Sequence, residues 1–257
     1  MSGPMNKRSV RFLKLLLASF LVINVTGPLL MLLNGNLNLN NDWTTADRES
    51  TGIAPKPDET PEAVIQVYAA RAFNWRGIFA VHTWIATKEK DATEYVVHHV
   101  LGWNERHGLP VVVSRTDSPD RAWYGYTPEA IRDIRGELAE QLIPRITEEV
   151  RNYPYQHEYV LWPGPNSNTF IAHIGRQVPE LELDLPSSAI GKDYLVNGNF
   201  ISNSPGGSGI QLSLFGLFGI LGSKVEGIEI NFLGLVSGVN PFEPAIKLPG
   251  IGKIKYN

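Results

Sequence analysis

Pro163-Gly164-Pro165 is the stretch that most limits how this chain can fold, because two prolines around a glycine force a sharp change of direction. Proline lacks a backbone N–H and fixes φ, so no helix can run into this corner. Asn166 comes next, a residue type that caps helices by accepting from the first-turn N–H groups. Phe170, Ile171, Ile174 and Val178 then recur at helical spacing, which predicts a short helix over residues 167–178. Ser167 falls in its first turn, among unpaired N–H donors and the positive end of the helix dipole. A nucleophile placed there has fixed donors for developing negative charge. The plainer reading is that Asn166 and Ser167 cap a helix after a loop.

At the other end of the chain, Lys7, Arg8 and Arg11 precede a nearly continuous apolar run over residues 12–33, which Lys14 interrupts near its start. At 1.5 Å per residue the run covers roughly 30 Å, the thickness of a bilayer core. With the basic flank first, the chain beyond the run is expected on the exported side, on the periplasmic face of an inner membrane crossed once. A cleaved signal peptide is the competing reading, although no Ala-x-Ala-like site lies after the run. The organisation expected is a basic flank and membrane anchor over 1–36, a polar linker over 37–60, and one α+β domain over 61–257.

Within that domain, Pro61 opens a predicted helix through about Phe73 with Val64, Val67, Tyr68 and Ala72 on one face. Residues 78–87 and 93–103 read as two antiparallel strands around a charged turn, and 110–115 as a third. His82 lies in the first strand, and His98 and His99 in the second. A His82–His99 contact across the ladder is expected, with His98 as the alternative because register is not legible. Trp123-Tyr124-Gly125-Tyr126 is an aromatic cluster, either core or the wall of a cleft. Thr127-Pro128-Glu129 has the order of a helix start, and residues 136–153 form a longer helix carrying Leu138, Leu142, Ile146 and Val150. Near the C-terminus, Ser213-Leu214-Phe215-Gly216-Leu217 is echoed eighteen positions later by Asn231-Phe232-Leu233-Gly234-Leu235. The two copies predict glycine-kinked strands in a small sheet that closes the domain. Apolar loops dipping into a membrane surface are the alternative.

Composition removes several chemistries. A net charge of −3 and a pI near 6.1 leave no basic footprint for nucleic acid. There is no cysteine, so disulfides and thiolate chemistry are excluded. The six histidines show no metal-ligand spacing, and no metal or other cofactor is expected.

Four segments resemble an uncharacterised bacterial family, domain of unknown function 3750. They are His82-Thr83-Trp84-Ile85-Ala86, residues 164–170, Ala189-Ile190-Gly191-Lys192-Asp193 and Leu248-Pro249-Gly250-Ile251-Gly252. Asn166-Ser167-Asn168-Thr169-Phe170 is also similar to the Asn-Cys-x-x-Phe segment of circularly permuted papain-like enzymes such as lecithin:retinol acyltransferase, with Ser167 at the Cys position and His82 at that of the strand His. That second resemblance implies a permuted papain-like fold: an antiparallel sheet packed with helices, here behind a transmembrane helix and ahead of a glycine-rich β region. It also implies a hydrolase or acyltransferase acting on an amide or ester of the cell envelope. Ser167 would attack, His82 would act as base and His99 would orient it, with Asn166, Asn168 and Trp84 at the substrate or oxyanion. Cell-wall peptides, lipids and lipoproteins are the implied substrates. The alternative is an inactive domain that keeps the cleft and binds an envelope peptide, lipid or protein.

Overall fold

The computed structural model describes residues 6–33, 37, 39 and 42–256. One helix, α1 (Lys7–Leu33), precedes a five-stranded antiparallel sheet of order β4-β3-β2-β1-β5, formed by β1 (Val64–Arg71), β2 (Val81–Lys88), β3 (Val96–Val100), β4 (Val112–Thr116) and β5 (Glu129–Arg135). Helices α2 (Glu137–Asn152) and α3 (Ser167–Gln177) come after it. A seven-stranded antiparallel meander ends the chain: β6 (Ile201–Asn203), β7 (Ile210–Leu214), β8 (Phe218–Ser223), β9 (Gly227–Phe232), β10 (Leu235–Asn240), β11 (Ala245–Leu248) and β12 (Gly252–Lys255). The mixed α+β class with antiparallel sheets is as expected.

Two expected helices are strands instead. Over 61–73 the chain forms β1, where seven consecutive residues from Val64 to Ala70 are buried. A strand covered on both faces carries apolar residues at every position, and such a run also fills a helical face. Ile65, Val67 and Ala69 join the core shared with α2 and α3, whereas Val64, Tyr68 and Ala70 join a second core on the opposite face. The other is β5, just after the Thr127-Pro128 signal. Its register shifts against β1 between Val67 and Tyr68, so Val67 faces Arg132 and Tyr68 faces Ala130. That bulge at Ile131 lets Ile131 and Ile134, three apart, both reach the same core, and the spacing reads as helical. In α2, Leu142, Ile146 and Val150 are buried as expected, with Ala139 and Ile143, while Leu138 is exposed.

The expected anchor and linker also differ. Among the described residues, no helix is long and apolar enough to cross a membrane. Asn24, Thr26, Gly27 and Pro28 interrupt the C-terminal half of α1, and this half is docked on the domain. Asn24, Gly27 and Pro28 are buried, and a Cβ on Gly27 would meet the Pro249 carbonyl oxygen at 1.9 Å. Most of 34–41 lies outside the described residues. The rest of the linker is pinned down: Asp120 accepts hydrogen bonds from the Ile53 and Ala54 N–H groups at 2.8 and 3.1 Å and from the Ser50 hydroxyl at 2.7 Å.

The glycine-rich region holds seven strands where two were expected, and its internal echo is a turn built twice. Phe215-Gly216 closes β7 to β8 and Leu233-Gly234 closes β9 to β10, all four residues with positive φ. Turns of this hand suit antiparallel hairpins. The Ser213 hydroxyl accepts from the Gly216 N–H at 3.2 Å, and the Asn231 side chain accepts from the Gly234 N–H at 2.8 Å. Both side chains then donate to Asp193, Ser213 to its carbonyl and Asn231 to its carboxylate. The repeat is therefore one device, used twice, that seats two hairpin turns on one residue of the first sheet's domain.

Candidate functional site

The Pro-Gly-Pro corner delivers the chain to α3 as its sequence predicts. The Asn166 side chain accepts from the Asn168 and Thr169 N–H groups at 2.9 and 3.2 Å, and the Thr169 hydroxyl accepts from the Asn166 N–H at 3.1 Å. This is a capping box, with Thr in the third position where Glu or Gln is usual. The cap is held from behind by the Ala189-Asp193 segment. The Asn166 amide donates to the Leu161 and Ile190 carbonyls, and the Thr169 hydroxyl donates to the Gly191 carbonyl at 2.8 Å. Gly191 has φ +101°, and any Cβ there would meet the Asn166 amide at 2.3 Å, so glycine is required.

Asn168 ties the helix to the sheet. Its amide donates to the Val81 carbonyl at 3.0 Å and the Ile190 carbonyl at 2.8 Å, and its oxygen accepts from the Thr83 hydroxyl at 2.9 Å. Asn166 and Asn168 thus spend their polar atoms on the fold, which differs from the substrate or oxyanion role expected for them. Asn168→Ala would strand the Val81 carbonyl, leave the Ile190 carbonyl with the Asn166 amide alone, and leave the Thr83 hydroxyl only its long contact to the Ser167 carbonyl. A loss of about 2–3 kcal/mol is expected, read by urea unfolding. Asn168→Asp should fail to rescue, because the lost group is a donor.

Strand alternation then decides which candidate residues meet. Val81, Thr83 and Ile85 of β2 face α3, since Val81 and Ile85 share the core of Phe170, Ile171 and Ile174, and Thr83 bonds Asn168. His82 and Trp84 therefore face the other way. Trp84 lies in the second core with Tyr68 and Val97, and His82 stacks on Trp123 at 3.7 Å between centroids and 10° between planes. The expected pairing of Ser167 with His82 is not what the sheet builds: Ser167 starts the helix on one face and His82 sits on the opposite face. Ser167 is itself buried, and its carbonyl lies 3.4 Å from the Thr83 hydroxyl.

His82 and His99 do share a face, with ring centroids 6.1 Å apart. His98 points to the α2 side, where its Nδ1 is 2.7 Å from the Ser114 hydroxyl and its Nε2 3.5 Å from that of Thr87. Burial lowers the pKa of His99 to about 4, with Arg115 adding to the effect, and lowers that of His98 to about 4. His82 is driven well below its ordinary value by burial first and by His99 second. All three are neutral imidazoles at pH 7. The buried Nε2 atoms of His82 and His99 have no hydrogen-bond partner. An unmet ring nitrogen in a cavity wall is a position where a ligand or water bonds.

His99 opens into a cleft of about 410 Å³ walled by Trp84, Trp103, Trp123 and Tyr124, with Arg48 and Arg121 among its lining residues. The ring of Trp103 lies 6.1 Å from Trp123, nearly parallel, and half exposed. The aromatic cluster at 123–126 is thus partly a cleft wall. Trp103 and Arg48 escape sequence reasoning, the one placed at a strand end and the other in a supposed free linker. Arg48 stacks over Tyr124 at 4.5 Å. Among the described residues no group of three or more His, Asp or Glu side chains is placed to hold a metal ion.

Comparison with curated proteins and with solved structures returns no match. The sequence profile of one family does match, over residues 62–194, which takes in the first sheet, α2, α3 and the Gly191-Asp193 strap and stops short of the seven-stranded meander. The match spans 133 of 257 residues (62 to 194 inclusive), just over half of the chain. On that basis the chain belongs to the family described as Protein of unknown function (DUF3750).

Proposed function

We propose that this is a binding domain at a membrane surface, without catalysis at Ser167, that takes an apolar group of an envelope peptide or lipid into the cleft beside His99. One observation carries the reading: His82 and His99, each with an unmet ring nitrogen, and the open aromatic walls lie together on the face away from Ser167. A Ser nucleophile needs a base within hydrogen-bond reach, and β2 presents Thr83 to α3 in place of His82. Flat aromatic walls beside a neutral imidazole suit an aliphatic or aromatic group, and the lining Arg48, Arg115 and Arg121 suit a hydrogen-bond acceptor carried on it. The basic residues ahead of the apolar α1 support a place at a membrane surface.

Two measurements test it. The neutral aromatic probe N-phenyl-1-naphthylamine should bind and accept energy from the cleft tryptophans. Trp103→Ala, at a half-exposed position, should weaken that binding about tenfold with the fold intact, and Ser167→Ala should leave it unchanged. Binding indifferent to Trp103 and Trp123 would remove the cleft from the reading. Separately, the thiol of Ser167→Cys should alkylate no faster than an unperturbed thiol, with or without His82. Fast alkylation that slows in the His82→Ala background would restore the papain-like hydrolase.

A further inference from the structure

The seven-stranded meander is built inside out. Most of its inward side chains are polar: Gln211, Ser213, Glu229, Asn231 and Lys247 are all buried, beside the apolar Leu221, Val236 and Ala245. The outward ones are apolar. Leu212, Ile220 and Ile230 lie side by side on adjacent strands at 50–56% exposure, and Ile228 at 54% continues the face. Soluble antiparallel sheets place these two kinds of residue the other way round. Contiguous apolar area of this sort marks an interaction surface.

Two observations say what covers it. The apolar face runs on into α1: the Phe20 ring meets the Phe232 ring edge-on at 4.8 Å, and Phe232 in turn packs on Phe218 at 5.4 Å. Helix α1 itself exposes Phe12, Leu15, Leu21, Val22 and Val25. Sheet face and helix thus form one continuous apolar surface. Charge supplies the second. The segment leading into this surface carries Lys7, Arg8, Arg11 and Lys14, and the first acidic residue of the chain is Asp42. A basic cluster bordering an apolar surface is complementary to an anionic bilayer, whose headgroups attract the cations while the acyl boundary takes the apolar side chains.

We propose that the outer face of the meander, together with α1, is a docking surface for an anionic phospholipid bilayer, lying in the interface without crossing it. The face enters to a depth of about 5–10 Å, so the isoleucines of β8 and β9 contact acyl chains. The domain would then lie flat on the membrane, sheet face down. This placement is independent of what the aromatic cleft binds.

The chain has no cysteine, so a single introduced thiol reports from one place. Full-length protein carrying Ile220→Cys or Ile230→Cys, labelled with an environment-sensitive fluorophore, is mixed with phosphatidylglycerol–phosphatidylcholine vesicles whose acyl chains are brominated. The label at either position should shift to the blue and be quenched by about half or more, and the same label at Glu137→Cys on α2 should not respond. The pair Ile220→Glu and Ile230→Glu, both at exposed positions, should weaken vesicle binding about tenfold or more with unchanged circular dichroism. Quenching confined to a label on α1, at Ala18→Cys, would show the helix binding alone and overturn the proposal. A blue shift without vesicles, accompanied by a doubled mass in sedimentation, would assign the face to a second copy of the chain and overturn it equally. Binding to pure phosphatidylcholine as tight as to the anionic mixture would remove the basic flank from the argument and with it the anionic specificity.

Discussion

Glu229→Ala is expected to destabilise the protein by about 3–5 kcal/mol, the range for removing one partner of a buried ion pair. Glu229 lies on the inner face of β9 and is fully enclosed. Its two oxygens bind Lys192 and Lys247, the second at 2.6 Å. Lys192 also reaches Asp193 at 3.0 Å, and Lys247 also reaches Asp184. Burial alone would raise the Glu229 pKa, but the two lysines outweigh it and hold the carboxyl below the usual range. The same balance, burial opposed by Asp193 and Glu229, leaves Lys192 raised. Deleting Glu229 would take one carboxylate partner from each of two buried ammonium groups, leaving Lys192 of the strap behind α3 with Asp193 alone and Lys247 of β11 with Asp184 alone. The expected loss is a large share of the ~5–15 kcal/mol that holds a typical domain together. Replacing Glu229 and Lys247 together by methionine should cost less than the single change, because Lys192 keeps Asp193 and Asp184 keeps Lys253, so no charge is left unpaired. Thermal and urea unfolding decide it: a single variant as stable as the parent would mean the network contributes nothing to holding the meander on α3.

This ion layer explains why the second half of the chain reads poorly in sequence. Gly227-Ile228-Glu229-Ile230-Asn231-Phe232 alternates strictly, so a half-buried strand is legible, but the rule that apolar residues face inward assigns the faces backwards. Nothing local to β9 announces that its partners are lysines 37 residues earlier and 18 later. At the candidate site the division is similar. The cap at Asn166 and the start of α3 come from local chemistry and are legible to the residue. Alternation also says that His82 and Trp84 share a face while Thr83 takes the other. It cannot say which face α3 covers, and the whole catalytic reading turns on that parity. The bonds of Asn168 to Val81 and Thr83, 87 and 85 residues away in sequence, fix it. In β1 the covering of both faces erases alternation altogether, and in β5 a single bulged residue imitates a helical period.

The largest effect of solution conditions should be a loss of stability between pH 6.5 and about 4, above the range in which carboxylates usually titrate. Four histidines drive it. His82, His98, His99 and His173 are at most 7% exposed. Burial lowers His98, His99 and His173 to about 4, with Arg176 adding to the effect at His173, and holds His82 well below its ordinary value. In the unfolded chain each titrates near 6.5. Below that value the unfolded state binds protons that the folded state refuses, so stability falls as pH falls. The contribution is fully present above about pH 6.5 and is lost progressively down to the folded values near 4. Each group approaches ~1.4 kcal/mol per pH unit inside the window, so four together remove roughly 5 kcal/mol between pH 7 and 5.5. Glu149 and Glu226 act in the opposite sense, since burial raises their pKa and protonation in the fold offsets part of the loss. Asp117 and Asp120 are lowered against burial by their hydrogen bonds, to Arg121 and Ser50 among others, and begin to cost stability only at more acidic pH. Urea unfolding at pH 7.0, 6.0 and 5.5 gives the slope, and proton uptake on unfolding gives the number of groups. His98→Asn should remove about a quarter of the slope, because it takes away one of the four buried rings. A stability that stays flat from pH 7 to 5.5 would show that these rings are protonated in the fold, and neutral imidazoles would then no longer line the cleft.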